Sequence, residues 1–159
     1  MAIAVARGPH LKQPAASDLR ILVPVSGSAV SRRGAEIAIA LAHVSPNPLR
    51  VIYVSTTRDK GARRDSASIS LGREEAILKD TAAAAARYNV DVSTVLRAHV
   101  APEQAILQEI RSSKADLVVL GVDRIAGEKL DFGSVAHAVL SKSDASVLLI
   151  ADGDAARKS

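Results

Sequence analysis

Cysteine and tryptophan are absent from this 159-residue chain, and the other aromatic residues are one phenylalanine and two tyrosines. The lack of cysteine excludes disulfides, thiolate metal sites and a cysteine nucleophile. The shortage of aromatic rings argues against binding of single-stranded nucleic acid, which relies on rings for base stacking. The core must be built from alanine, valine, leucine and isoleucine, and this composition suits helices packed on a parallel sheet.

The chain also lacks long hydrophobic runs and charge clusters. No apolar run is long enough to span a bilayer, and residues 1–10 lack the regions of a signal peptide. The net charge of +4 is spread along the chain, with Arg32-Arg33 and Arg63-Arg64 as pairs rather than tracts. This is typical of a solvated surface, although a mild positive field also suits an anionic small ligand. The four histidines lack metal-ligand spacing, so we expect no metal site. From the spread charge we expect no nucleic-acid partner, and the absence of cysteine fits a cytoplasmic location.

Apolar runs typical of strands alternate with helical patterns over residues 19–151, which we predict to be one domain. Residues 1–18, with Pro9 and Pro14, are predicted to be a tail or linker, and residues 152–159 a polar tail. Residues 55–68 are polar and are predicted to form a mobile loop. The predicted elements are strands at 19–25, 50–54, 90–96, 117–120 and 146–150, and helices at 29–43, 71–88, from 102 and at 133–141.

Strict alternation of strands and helices predicts an α/β fold with a parallel sheet and helices on both faces. Right-handed crossovers restrict the topology, and we predict a single-domain, Rossmann-like sheet of five strands in the order 3-2-1-4-5. In this order the winding reverses between the first and fourth strands. Ligands of such sheets bind at this reversal, beyond the carboxyl ends of the strands. The carboxyl ends of the first and fourth strands are Val25-Ser26-Gly27 and Leu120-Gly121-Val122. We therefore predict that both segments border one cleft.

The segment from Gly121 to Val135 reads as strand, glycine-bearing loop and helix start. The start of a helix has unpaired N–H groups and a partial positive charge, and glycine lets the backbone approach a ligand, so we predict a phosphate here. Ser134 suits either a phosphate contact or an N-cap, and Arg124 either a phosphate contact or a solvated loop. The segment does not match the phosphate-loop, dinucleotide or serine-nucleophile motifs.

Three stretches resemble the universal stress protein family across residues 18–151. They are Ile21-Leu-Val-Pro-Val-Ser-Gly-Ser28 with Ser31-Arg-Arg33, then Ala101-Pro-Glu-Gln-Ala-Ile-Leu107, and finally Asp116-Leu-Val-Val-Leu-Gly121 with Gly133-Ser134-Val135 and Ser146-Val-Leu-Leu-Ile150. The resemblance implies the 3-2-1-4-5 sheet, a homodimer through the fifth predicted strand at Val147–Ile150, and ATP or another adenine nucleotide at the switch point, with or without Mg²⁺.

The family's nucleotide motif is G-x-x-G, nine residues, then G-[ST]. Gly121 matches its first glycine, and Gly133 with Ser134 matches its end. The second glycine position falls on Arg124, and Ser26 replaces the acidic residue of the family's first strand. The predicted nucleotide-binding residues are Pro24, Val25, Ser26, Gly27, Val54, Leu120, Gly121, Asp123, Arg124, Gly127, Gly133, Ser134 and Val135.

We therefore expect a regulatory nucleotide-binding module rather than an enzyme. One alternative is a dimeric domain without ATP that regulates a transporter by protein contact. Another is a very slow nucleotide phosphohydrolase, for which Asp123 and Asp131 are the local candidates to position water. The segment from Gly121 to Ser134 also resembles domains of this family appended to bacterial cation/proton antiporters. On that resemblance, residues 1–18 would connect to an inner-membrane transporter.

Overall fold

The structure, a computed structural model, describes the backbone of residues 3–7, 18–55, 64–123 and 132–151, with side chains in 18–55, 72–123 and 132–151. Helices and strands alternate along these residues. The elements are β1 (Ile3–Arg7), β2 (Ile21–Val25), α1 (Ala29–Ala42), β3 (Leu49–Ser55), α2 (Arg64–Ala86), β4 (Val92–Ala98), α3 (Pro102–Ser113), β5 (Leu117–Val122), α4 (Gly133–Lys142) and β6 (Ser146–Ala151).

All the described strands form one sheet, in the order β1-β6-β5-β2-β3-β4. The five strands from β2 to β6 pair in parallel, and β1 alone among the described strands runs antiparallel to its neighbour, β6. When the parallel strands are numbered without β1, their order is 3-2-1-4-5. The predicted α/β fold class and strand order are therefore confirmed.

Strand β1 was not predicted from the sequence. It lies within residues 1–18, which we predicted to be a tail or linker. It pairs along the whole of β6 except its first residue, from Ile3 opposite Ala151 to Arg7 opposite Val147. The homodimer predicted through Val147–Ile150 needs the same edge of β6. A second copy cannot pair there while β1 is in place.

Alternate residues of the buried strands face opposite layers of the molecule. Leu120 and Val122 of β5 pack with α3 and α4, whereas Val119 packs with α1 and α2. Both faces of the parallel sheet are thus covered by helices, and continuous apolar runs such as residues 117–120 are explained by burial on both sides. None of the described helices is both long and apolar enough to cross a membrane.

The helices begin where the sequence chemistry places them, with one exception. Ser28 caps α1, and Pro102 and Glu103 occupy the first turn of α3. Strand β3 ends at Ser55 and helix α2 begins at Arg64, so the predicted mobile loop over residues 55–68 is wrong for residue 55 and for residues 64–68. Residues 56–63 lie outside the described part of the chain.

A buried carboxylate joins α3 to the outer strands. The Glu109 side chain is fully buried, and it accepts hydrogen bonds from Arg50 Nε (2.8 Å) and Arg97 Nη2 (3.0 Å). Arg50 also donates to the Ser93 hydroxyl of β4. Two guanidinium groups satisfy both oxygens of the carboxylate, which compensates for the cost of removing it from water. No sequence pattern pointed to this group of residues.

A second ion pair joins the starts of β2 and β5. Arg20 Nε lies 3.1 Å from Asp116 Oδ2, and the backbone N–H of Arg20 donates to the same oxygen. The hydrogen bond and the charge of Asp116 raise the pKa of the Arg20 guanidinium. The pair is half-exposed, so it contributes to the alignment of the two strands more than to overall stability.

Candidate functional site

Strands β2 and β5 are neighbours in the sheet, and because they run parallel their carboxyl ends lie at the same edge of it. The two strands pair in parallel, with Ile21 opposite Leu117 and Leu22 opposite Val118. The winding of the sheet reverses between them, since β3 and β4 lie on one side and β6 on the other. Sheets of this class bind ligands at this position.

Hydroxyl groups fix the turn that follows β2. The Ser26 N–H donates to Ser31 Oγ (2.8 Å), the Ser26 hydroxyl donates to Ser28 Oγ (3.2 Å), and the Ser31 N–H donates to Ser28 Oγ (3.2 Å). Gly27 has a φ of +79°, a conformation that favours glycine. Ser26 therefore has a structural role in this turn, and its predicted contact with a ligand remains a prediction.

Helix α4 follows β5, the second of the two strands between which the winding reverses. Gly133 is its first residue, with a φ of +86°, and the N-cap position falls on Phe132, whose side chain makes no capping hydrogen bond. The reading of Ser134 as the N-cap is therefore wrong, because this exposed residue lies inside the first turn. Its hydroxyl is accessible at the positive end of the helix.

A cavity of about 280 Å³ lies between the end of β5 and the first turn of α4. Its volume is just below the range typical of small-molecule sites, about 300–1,000 Å³. Phe132 forms part of its wall and does not fill it. The lining residues are Leu120, Gly121, Val122, Asp123, Phe132, Gly133, Val135 and Ala136.

The cavity brings together five of the residues predicted for the site: Leu120, Gly121, Asp123, Gly133 and Val135. Ser134 follows in the same helical turn. Three lining residues, Val122, Phe132 and Ala136, were not predicted. The two-residue repeat of a strand connects Val122 to Leu120, and the three-residue repeat of a helix connects Ala136 to Gly133. Arg124 and Gly127 lie outside the described residues.

Gly121 has a packing role that the sequence did not reveal. A Cβ at this position would overlap the carbonyl oxygen of Val30 and lie 2.8 Å from the Ser31 nitrogen. That direction points toward α1, away from the cavity at Leu120 and Val122. The absent side chain therefore lets α1 approach β5, while the Gly121 backbone borders the cavity.

The predicted residues of β2 and β3 divide between the two faces of the sheet. Val25 packs in the layer of α1 and α2, and it lines another cavity of about 280 Å³ there, together with Gly27. Val54 packs in the layer of α3 and α4, on the side of the β5–α4 cavity. Pro24 shares this side by strand alternation with Leu22.

A third cavity, of about 510 Å³, lies toward the amino ends of the strands. Arg20, Arg50 and Arg97 line it, but each is paired with Asp116 or Glu109. Helix α3 ends there, and the end of a helix carries a partial negative charge. The start of α4 is therefore a better binding site for an anion than the cavity at the end of α3.

The fold and the site together define an α/β domain with a helix start directed at a cavity where the winding reverses. A family model, the universal stress protein family, matches residues 19–151, and the chain belongs to this family. The match covers most of the chain, and all the parallel strands and the cavity lie within it.

Solved structures of this family share the fold. A universal stress protein from Burkholderia pseudomallei has a TM-score of 0.68 and 22% identity, covering 86% of this chain and 98% of its own. One from Archaeoglobus fulgidus in complex with dAMP has a TM-score of 0.64 and 20% identity, covering 83% and 97%. One from Arabidopsis thaliana with AMP bound has a TM-score of 0.64 and 16% identity, covering 89% and 96%. No match was found among curated proteins.

Proposed function

We propose that this domain binds an adenine nucleotide in the β5–α4 cavity and acts as a regulatory module. The observation that carries the proposal is the start of α4 at Gly133, which opens beside a cavity at the reversal of the sheet. The partial positive charge at the start of a helix favours phosphate there. Two relatives, with dAMP and AMP bound, support adenine as the base.

We assign the phosphates to Gly121, Arg124, Gly133, Ser134 and Val135. The base and ribose would lie along the α3/α4 face of the sheet, beside Pro24, Ser26, Val54 and Leu120. Val25 is not part of this assignment, because its side chain packs on the opposite face. Mg²⁺ would bind through the phosphates of a di- or triphosphate, with Asp123 as the nearest described carboxylate of the cavity.

Calorimetry of the purified chain with AMP, dAMP and ATP tests the proposal, with GMP and inorganic phosphate as controls. We expect the adenine nucleotides to bind and to raise the melting temperature, because a ligand of the folded state stabilises it. Weaker binding of GMP would show recognition of the base. No heat and no thermal shift with any adenine nucleotide at millimolar concentration would contradict the proposal.

We further propose that the nucleotide is an effector and not a substrate. Among the described residues that line the cavity, Asp123 is the one ionisable side chain, whereas phosphoryl transfer needs several positioned groups. Phosphate release from ATP should therefore equal that of Asp123→Asn. A clear excess over that variant would favour the slow phosphohydrolase.

We place the domain in the cytoplasm, where ATP and AMP are available, as the regulator of a membrane transporter. The likeness of residues 121–134 to domains appended to cation/proton antiporters supports this partner. Proton-driven cation uptake by vesicles carrying such an antiporter should change when the domain and AMP are added together. Uptake that is the same with and without them would contradict the partner.

A further inference from the structure

Strand β6 is an apolar edge of the parallel sheet, and β1 covers it. Ser146–Ala151 contains no charged residue, proline or glycine. Val147, Leu149 and Ile150 are at most 2% exposed, because helices cover both faces of the strand. Without β1, the outer edge of β6 would present unpaired backbone groups on an uncharged strand, and such edges pair with other chains.

The opposite edge of the sheet differs in chemistry. Strand β4 is its last strand, and it carries Arg97 together with exposed or half-exposed polar residues. Charged side chains protect an edge from unwanted pairing. Within the described chain, the edge strand that carries a charged residue is the one left open, and the uncharged edge strand is the one covered.

The cover is held by a single neighbour. Among the described elements, β6 is the one with which β1 makes extensive contact. The family match begins at residue 19, so β1 lies outside the domain that the family shares. Release of β1 would therefore break one short ladder and leave the β5–β6 pairing in place.

We propose that β1 is a detachable cover that controls pairing of β6 with a second copy of this chain. While β1 is docked on its own β6, the chain is monomeric. When β1 leaves, two β6 strands pair antiparallel about a two-fold axis. The antiparallel docking of β1 shows that this edge accepts a strand in that direction, which is the direction that two-fold symmetry imposes on two copies of β6.

A disulfide lock tests the docking, because the natural chain has no cysteine. Ala6 lies opposite Leu148, and the Cα atoms of antiparallel partners are close enough for a disulfide. The full-length Ala6→Cys/Leu148→Cys variant should form an intramolecular disulfide with oxidised glutathione, which accepts the two hydrogens. The matched control, Ala6→Cys/Ser146→Cys, is out of register and should form little. A disulfide between two molecules would overturn docking within one chain.

The lock also tests the control of dimerisation. The oxidised variant should stay monomeric in light scattering at the highest attainable concentration, and the reduced variant should dimerise like the natural chain. Equal dimerisation in both states would show that the dimer does not use this edge, and it would overturn the proposal.

A release variant gives the complementary test. Consecutive N–H groups of an edge strand point to opposite sides, so Val5→Pro/Ala6→Pro must remove at least one potential ladder bond. We expect this full-length variant to dimerise at lower concentration than the natural chain, with faster amide exchange at Ser146–Ala151 in its monomer. A folded variant that stays monomeric, with unchanged exchange, would overturn the proposal. If the variant does not fold, the lock decides alone.

Discussion

Gly34 of α1 and Gly121 of β5 meet backbone to backbone. A Cβ on Gly34 would lie 3.0 Å from the Gly121 nitrogen, and one on Gly121 would overlap the Val30 carbonyl. Helix α1 therefore rests directly on the strand that leads into the cavity. This contact fixes α1 relative to the strand whose end borders the cavity.

Gly121→Ala should destabilise the domain by about 1–3 kcal/mol, because the added methyl group meets backbone that cannot turn aside. Chemical denaturation of the unliganded chain measures this loss. Gly72→Ala is the matched control, since an exposed helix position with open space around it should gain about 0.5–1 kcal/mol. If Gly121 served a ligand alone, both variants would be at least as stable as the natural chain.

Glu109→Gln should cost about 3 kcal/mol of unfolding free energy, because it leaves Arg50 and Arg97 facing a neutral amide in a partly desolvated site. Denaturant titration at neutral pH measures the loss. Arg20→Ala removes a half-exposed partner from the other ion pair, and little change is expected there. A similar small effect for both variants would show that burial does not strengthen the Glu109 cluster.

Ser28→Ala should lower stability by about 1 kcal/mol, because it removes the cap of α1 at the Ser31 N–H. Ser26→Ala deletes one hydroxyl donor from the same turn and should cost less. Thermal melts of both variants, with and without AMP, separate turn and ligand roles. A loss of AMP affinity in Ser26→Ala without loss of stability would assign Ser26 to the ligand.

Ser134→Asp should change stability and affinity in opposite directions. A carboxylate in the first turn of α4 interacts favourably with the helix dipole and should add about 0.3–1 kcal/mol. The same charge should repel phosphate and weaken AMP binding by about tenfold or more, or about 1.4 kcal/mol. Calorimetry and melts of this variant beside Ser134→Thr, which keeps the hydroxyl, give the comparison. Unchanged AMP affinity would place the phosphate elsewhere.

The sequence predicted the parallel sheet because its strands are continuous apolar runs separated by helical patterns and turn residues. Strand β1 was not predicted because it is only five residues long, two of them alanine, and because its partner β6 lies at the far end of the chain. The burial of Glu109 was not predicted, because an acidic residue on a helix is normally exposed and its partners, Arg50 and Arg97, are distant in sequence.

The candidate site was also predicted only in part. The order of strands predicted that the first and fourth parallel strands would be neighbours, and β2 and β5 do pair, at Ile21 with Leu117 and Leu22 with Val118. Which face each side chain takes depends on strand alternation, and this separates Val25 from Val54 and Leu120. The position of Ser134 within the helix depends on the start of α4 at Gly133, and the ends of a helix are the part that a sequence pattern locates least precisely.

The pairing of Ile3 with Ala151 also sets an order of events during synthesis. Ile3 leaves the ribosome long before its partner exists, so β1 must wait while β2 to β5 assemble. Because contacts between distant residues form slowly, the arrival of β6 and the closure by β1 should be the final steps of folding. Newly made chains therefore pass through a stage in which β6 is complete and still open to neighbouring molecules.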